Sequence, residues 1–334
     1  MTTITTPPCR QRILTGDRPT GPLHIGHLFA TLRSRVAFQE KGIDTMILIA
    51  DLQVITDRGA IGDVRSAALG QVADYLATGI DPTCSTIFAH SAVPAIGQLT
   101  LPFLSLVSDA GLRRNPTVKD ELAATDGRPL SGLLLTYPVH QAADILAVHG
   151  NVVPVGKDQL PHLEQARVIA RRFNARYGEG YFTEPEALLT EAPVVPGLDG
   201  RKMSTSRGNG IELGMTADAT ATRIRKARTD LQRRITFEPD RRPEVSSMLR
   251  ITALFTGETP EQVADRIGDG GAAALKRELT TAANDGLAEH RRRRADFAAD
   301  PAYLRDVVRA GNARAAALAD RTLADVFELM GMTY

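Results

Sequence analysis

The sequence predicts an α/β fold: a doubly wound parallel sheet followed by a C-terminal helical domain. Three observations carry that reading. Short apolar runs alternate with helical-period stretches through the first two-thirds of the chain, strand-like runs stop near residue 215, and 334 residues accommodate about two domains. In order, residues 11–15 form an apolar-centred strand and 16–22 a Gly/Pro loop. From Leu23 onward Leu28, Phe29, Leu32 and Val36 recur at three- and four-residue steps, so a helix begins there with Pro22 in its first turn. Gly42 is placed to stop that helix. Residues 45–50 read as a fully buried strand, 62–78 as a helix, 86–90 as a strand, 137–148 as a helix and 152–155 as a strand. Strands alternating with helices imply parallel pairing through right-handed crossovers. Beyond residue 215 apolar residues such as Leu304, Val307, Leu318, Leu323 and Val326 repeat at helical spacing. The chain thus divides into a tail, 1–10, a sheet domain, 11–214, and a helical domain, 215–334.

Composition narrows the function classes. With 43% apolar and 24% charged residues the chain is neither disordered nor fibrous. No apolar run reaches the length of a membrane helix, and the polar start lacks a secretory pattern, so a soluble cytoplasmic protein is expected. Two cysteines make no disulfide framework or four-ligand zinc site. Forty Lys+Arg against 39 Asp+Glu leave no global basic field, so an RNA partner must be held by local patches. The candidates are Arg223, Arg225, Lys226 and Arg228, then Arg233 and Arg234, then Arg291 to Arg294, each more readily read as a solvated helix face than as a specific contact. Only six lysines occur, which makes a lysine inside a motif more informative than usual.

Parallel sheets bind ligands at the carboxyl ends of their strands, near the start of the next helix. There the chain carries Gly16-Asp17-Arg18-Pro19-Thr20-Gly21-Pro22-Leu23-His24-Ile25-Gly26-His27. This is not the G-x-G-x-x-G of dinucleotide enzymes, which disfavours a nicotinamide cofactor. Backbone N–H groups at a helix start attract anions. His24 and His27, three apart, project from one face of the first turn, where imidazoles can donate hydrogen bonds to phosphate oxygens. Gly26 between them leaves room for a flat adenine ring. Further on, Gly197-Leu198-Asp199-Gly200 is turn chemistry, and Lys202-Met203-Ser204-Thr205-Ser206 lies between Arg201 and Arg207. This small, polar, basic loop suits a mobile cover over phosphates, with Lys202 as the charge that follows a departing pyrophosphate. A third constellation, Tyr137, Gln141 and Asp144, shares one helix face. A carboxylate among alanines needs a donor, supplied either by a ligand or by a cap or salt bridge inside the fold.

Together these motifs resemble the class I aminoacyl-tRNA synthetases. His24 to His27 is the HIGH signature, inside a P-T-G-x-L-H-I-G-H string similar to the tryptophanyl/tyrosyl branch. Lys202 to Ser206 resembles the second signature, KMSKS, with Thr205 where the family has its second lysine. A hydroxyl cannot supply that charge, so Arg201 or Arg207 substitutes or phosphate binding is weaker. Residues 137–146 look like the Y-P-x-x-x-A-A-D-I-L segment of tryptophanyl-tRNA synthetases, and 153–159 like V-P-V-G-E-D-Q.

The resemblance implies a Rossmann-type sheet domain and catalytic roles for His24, His27, Lys202 and Thr205. It implies ATP contacts from Arg18, Pro19, Thr20, Gly26, His27, Gly156, Lys157, Asp158, Val195, Lys202, Met203, Ser204, Thr205 and Ser206. Tryptophan contacts would come from Gly16, Arg18, Gln53, Tyr137, Gln141, Asp144 and Gln159. Asp144 would receive the indole N–H, while Tyr137 and Gln159 hold the α-amino group and Arg18 the carboxylate. L-tryptophan is then activated with ATP, Mg²⁺ travels with the nucleotide without a protein metal site, and the product passes to tRNA(Trp). A homodimer and an anticodon-binding role for 215–334 are implied in the same way. Arg18, Gln53, Gln141 and Lys157 depart from common family residues and point to a divergent second form, while His162 reads as packing. Competing readings are a tyrosyl enzyme, a synthetase-derived regulatory or partner-binding paralogue, and a non-synthetase nucleotidyltransferase. Chain length and the second signature disfavour the last.

Overall fold

Five parallel strands form one sheet in the order β3-β2-β1-β4-β5 in the computed structural model, which describes residues 11–56, 62–116, 118–119, 131–156, 160–189 and 195–334. They are β1 (Arg12–Asp17), β2 (Asp44–Ile49), β3 (Ser85–Ala89), β4 (Val152–Val155) and β5 (Glu186–Leu189). Winding reverses at β1, which pairs with β2 on one side and β4 on the other, so a crevice opens at the carboxyl ends of β1 and β4. Four strands match the sequence expectation. The fifth was not expected: Glu-Ala-Leu-Leu is rich in helix formers, and only its pairing with β4 makes it a strand. The pairing of β1 also runs further than expected. Gly16 pairs with Leu48 and Asp17 with Ile49, so the loop begins at Arg18. The tail, 1–10, lies outside the described residues.

Alternation along β2 builds two cores. Ile47 and Ile49 face a cluster with Leu32, Tyr75 and Ile211, while Met46 and Leu48 face one with Phe88, Phe103, Val139 and Phe173. Helix α1 (Ile25–His27) continues through a π turn, Leu28–Leu32, into α2 (Arg33–Glu40), and Gly42 follows at φ +68° as expected. Next come α3 (Val64–Thr78), capped by the Asp63 carboxylate, α4 (Pro94–Leu104) and α5 (Asp109–Arg114). Helix α6 (Gly132–Ala147) starts ahead of the expected residue 137, because the Ser131 hydroxyl caps Leu134 N–H. Helix α7 (Leu160–Arg176) closes the sheet half.

The rest is helical, as expected: α8 (Ala217–Lys226), α9 (Pro243–Thr256), α10 (Pro260–Ile267), α11 (Gly271–Ala298) and α12 (Pro301–Leu329). Apolar packing nevertheless crosses residue 214 without a break, since Met248, Leu249, Leu279 and Leu287 share the first core with β2. The last helix lies along β3 and shields that sheet edge. Asn312 Oδ1 accepts from Ala89 N–H at 2.9 Å, and Thr322 Oγ1 donates to Ala147 C=O at 2.8 Å. Among the described residues no helix is long and apolar enough to cross a membrane.

The run Arg291–Arg294 corrects an expectation. Arg291 donates to Thr220 Oγ1 at 2.7 Å, Arg293 to Leu76 C=O at 3.0 Å and Arg294 to Asp74 Oδ1 at 2.7 Å, while Arg292 pairs with Glu289. Three of these arginines tie α11 to α3 and α8. They are engaged within the fold because the neighbouring helices present carbonyls, a hydroxyl and the buried Asp74 to them.

Gly311 marks the tightest approach of α12, because a Cβ there would lie 1.7 Å from the Ile87 carbonyl oxygen. Gly311→Ala should therefore cost about 3 kcal/mol by overpacking, read as a drop in thermal midpoint. Gly97→Ala, in the exposed face of α4 with nothing within 4 Å of the added carbon, should be neutral or slightly stabilising.

Candidate active site

A short antiparallel contact assembles the site. Ile25 N–H donates to Ile211 C=O at 2.9 Å and Leu213 N–H donates to Leu23 C=O at 2.9 Å, with His24 bridged to Glu212. This pairing keeps Leu23 and His24 extended, so the helix begins at Ile25 and Pro22 stands ahead of it, against expectation. It also joins the two signature regions. Lys202 to Arg207 consequently lie over the loop Arg18–Pro22, where a Cβ on Gly21 would meet Thr205 Cγ2 at 2.7 Å.

His24 and His27 do not simply project from a helical face. His24 is the N-cap: its Nδ1 accepts from Gly26 N–H at 3.1 Å, while His24 N–H donates to His27 Nδ1 at 3.1 Å. The rings stand 4.0 Å apart between centroids. An Nδ1 that accepts carries no proton, so each neutral ring has its hydrogen on Nε2. Burial, with His27 beside it, pushes the His24 pKa from 6.5 to about 3. Burial also lowers His27, against the pull of Asp17. Both rings are therefore neutral Nε2–H donors at physiological pH, able to approach a phosphate without a fixed charge.

Behind them lies a network that the sequence reading missed. Asp17 Oδ2 accepts from Arg35 Nη1 at 2.7 Å and from Tyr75 Oη at 2.8 Å, and Arg35 also donates to Thr15 Oγ1. Burial opposes the Asp17 charge, yet Arg35, His27 and the hydrogen bonds hold its carboxyl below the usual range. Asp17 is thus committed to the scaffold. Period-based reading passed over Arg35 because a charged residue on a helix is ordinarily solvated; its signal was the position opposite the buried end of β1.

Lys202 is exposed, and its carbonyl accepts from Asn209 Nδ2 at 3.2 Å. Asn209, also unforeseen, fixes the loop through Ser204 N–H at 2.9 Å and Asp199 Oδ1 at 2.8 Å. Met203 is buried beside Gly26, and Thr205 Oγ1 donates to Pro22 C=O at 3.3 Å. Val195 is buried beneath. Arg18 and Thr20 are exposed, Pro19 is buried, and the Arg18 carbonyl accepts from Gln71 Nε2 at 2.9 Å. On the outer side of the loop a cavity of about 1140 Å³ is lined by Arg201, Arg207, Arg223, Lys226 and Arg228 with Asp199, Asp218 and Glu244.

Asp144 and Tyr137 come from α6 as expected, with Gln141 between them, half-buried; Gln53 stands after β2 in the turn Leu52–Thr56. Asp144 is 1% exposed, and the Nε2 of His90, 2% exposed, lies 2.9 Å from its Oδ1. His90 was not singled out, although it follows the carboxyl end of β3, where parallel sheets place their ligands. Tyr137 Oη lies 3.2 Å from Nε2 of buried His162, so His162 both packs and orients the tyrosine. Gly16 and Gly156 stand exposed at the ends of β1 and β4. Lys157, Asp158, Gln159 and the Ser206 side chain lie outside the described residues.

The lowered His24 value makes the fold acid-sensitive. Between 6.5 and about 3 the unfolded chain binds a proton that the native ring refuses, so stability falls as pH falls through that window. His24→Asn, which keeps a capping acceptor, should reduce the pH dependence of the unfolding free energy there by about one proton, measured by denaturant titration at several pH values.

Residues 9–288 match the family described as tRNA synthetases class I (W and Y). The chain is 40% identical to tryptophan–tRNA ligase of Lactococcus lactis subsp. lactis, over 96% of this chain and 98% of that protein. Among solved structures, tryptophanyl-tRNA synthetase of Campylobacter jejuni, complexed with ADP and tryptophan, superposes with a TM-score of 0.84 at 31% identity, covering 96% of this chain and 100% of that one. Tyrosyl-tRNA synthetase of Archaeoglobus fulgidus shares the fold at a TM-score of 0.64 and 23% identity, covering 85% of this chain and 90% of that one. With both signatures joined across one crevice and the family matched over most of its length, the chain belongs to the class I tRNA synthetases of the tryptophan and tyrosine branch.

Proposed function

We propose that the chain is a tryptophan–tRNA ligase: it activates L-tryptophan with ATP, releasing pyrophosphate, and passes the aminoacyl group to tRNA(Trp). What carries the choice of amino acid is the 40% identity to a tryptophan–tRNA ligase over 96% of this chain, and Asp144, a buried carboxylate on the helix face shared with Tyr137 and Gln141, fits that choice. His90 meets one of its oxygens at 2.9 Å, and an indole N–H would supply a donor to the other.

ATP would lie across the ends of β1 and β4. The tryptophan carboxylate attacks the α-phosphorus in line, and pyrophosphate leaves. Positioning and charge stabilisation carry this chemistry. His24 and His27 would donate Nε2–H to phosphate oxygens, Lys202 would accompany the leaving pyrophosphate, and Thr205 would anchor the loop while Arg201 or Arg207 supplies the second charge. Arg18, Pro19, Thr20, Gly26, Gly156, Val195, Met203 and Ser204 would frame the nucleotide, and Gly16, Arg18, Gln53, Tyr137 and Gln141 the amino acid. Lys157, Asp158, Gln159 and Ser206 are assigned by resemblance alone. Asp17 is occupied by Arg35 and Tyr75, so Mg²⁺ would arrive with the nucleotide phosphates. A homodimer, an anticodon contact in 215–334 and a cytoplasmic location complete the reading.

Amino-acid-dependent ATP–pyrophosphate exchange across all twenty substrates tests it, and tryptophan should be the one strong response. A tyrosine response, or none with tRNA binding retained, would sink it. Lys202→Ala should lower exchange by about 10²–10³-fold with the thermal midpoint unchanged, because this side chain is exposed.

A further inference from the structure

The buried cluster around Asp144 contains more than an acceptor for the substrate. His90 opens the turn after β3 and meets Asp144 at 2.9 Å, with both side chains buried. The ring of His140, one turn before Asp144 on α6, stands edge-on to His90 at 4.9 Å between centroids and 90° between planes. Among the described residues, neither nitrogen of His90 and neither oxygen of Asp144 has an aligned hydrogen bond. The His90 contact is therefore an ion-pair contact, made at Oδ1. A carboxylate held at one oxygen keeps acceptor capacity at the other, and Oδ2 has no hydrogen-bond partner among the described residues.

We propose that His90 is a specificity-determining positioning residue: by holding Oδ1 of Asp144 it aims Oδ2 at a ring N–H of the bound amino acid. The inference rests on the tryptophan reading above. It adds the group that makes Asp144 a selective acceptor, and it acts through Asp144 without touching the substrate.

The surrounding charges agree with this role. Burial alone would lower His90, but Asp144, with Asp51 at the end of β2, raises it above its ordinary value. His140 is lowered, first by burial and also by His90, against Asp144 and Asp51. The groups facing His90 are thus Asp144 and His140 on α6 and Asp51 beyond β2. The charged form of His90 is favoured by these carboxylates and is lost as pH rises through the elevated His90 value.

The chain contains no tryptophan, so the emission of bound tryptophan can be read without background from protein tryptophan. The probes are tryptophan and 3-benzothienylalanine, which has nearly the same shape but no ring N–H, the second measured by competition. The wild-type chain should prefer tryptophan at least tenfold, and that preference should decline as pH rises past the His90 transition. His90→Phe should weaken tryptophan at least tenfold and bring the two ligands within about threefold. His90→Gln, which supplies a neutral donor, should match the wild-type preference measured above the His90 transition and show no pH dependence. A His90→Phe chain that keeps both affinity and preference within twofold overturns the role. So does a His90→Gln chain with the wild-type pH profile. A wild-type chain that binds no tryptophan overturns the tryptophan reading, and this inference with it. His90, His140 and Asp144 bring ligand atoms within 4.8 Å of one another. Stoichiometric zinc in the purified protein, with tryptophan binding lost on chelation, would replace the proposal with a cation.

Discussion

Two backbone hydrogen bonds, between Ile25 and Ile211 and between Leu213 and Leu23, hold the functional half of the molecule together. They close an antiparallel contact between segments far apart in sequence, and everything at the crevice mouth follows. Because Leu23 and His24 must stay extended to make it, the helix starts at Ile25 and His24 becomes its cap. The same strand-like segment carries Ile211 and Leu213 into the first core, where both are completely buried. A polar, mobile-looking loop is thereby tethered at its downstream end by apolar burial, while Arg201, Lys202 and Arg207 stay in solvent. Burial of Met203 adds a second hold, at the centre of the loop. A cover that moves must hinge between these fixed points.

The chemistry of the histidines depends on the cap. Four backbone N–H groups at a helix start ordinarily seek side-chain oxygens or anions. Here imidazole nitrogens meet part of that demand, which fixes both tautomers and leaves Nε2–H groups for a ligand. Neutral donors suit a site that must receive a tetra-anionic nucleotide and later release its products. A fixed positive pair would hold ground state and transition state alike, and uniform binding does not raise turnover. The exposed Lys202 would supply charge under the proposed reading, and Asp17–Arg35–Tyr75 holds the end of β1.

Sequence and structure agree where periodicity or residue chemistry decides locally. The four strands, the Gly42 stop and the shared face of Tyr137, Gln141 and Asp144 were legible because alternation, turn residues and helical spacing are properties of neighbours in the chain. What escaped depends on partners distant in sequence. β5 is a strand only because β4 pairs with it. Arg35 is buried only because Asp17 awaits it. Arg291 to Arg294 look like an RNA-binding run until Thr220, Leu76 and Asp74 are seen beside them. His90 belongs to the same class: one histidine at a strand end has no pattern, and Asp144 gives it meaning from 54 positions away.

The placement of Asp144 also explains why the two halves of the chain cannot be independent. Its helix, α6, receives the Thr322 hydroxyl at Ala147 C=O, and Ala147 lies one helical turn past the substrate face. Helix α12, which supplies Thr322, is itself seated on β3 by Asn312 and Gly311, and β3 delivers His90. The last helix therefore braces both sides of the His90–Asp144 contact. A displacement of α12 would therefore bear on the separation of those two side chains without touching either signature. Coupling of this kind requires only that α12 be a rigid element held at both β3 and α6, and its two hydrogen bonds and the close approach at Gly311 provide that rigidity.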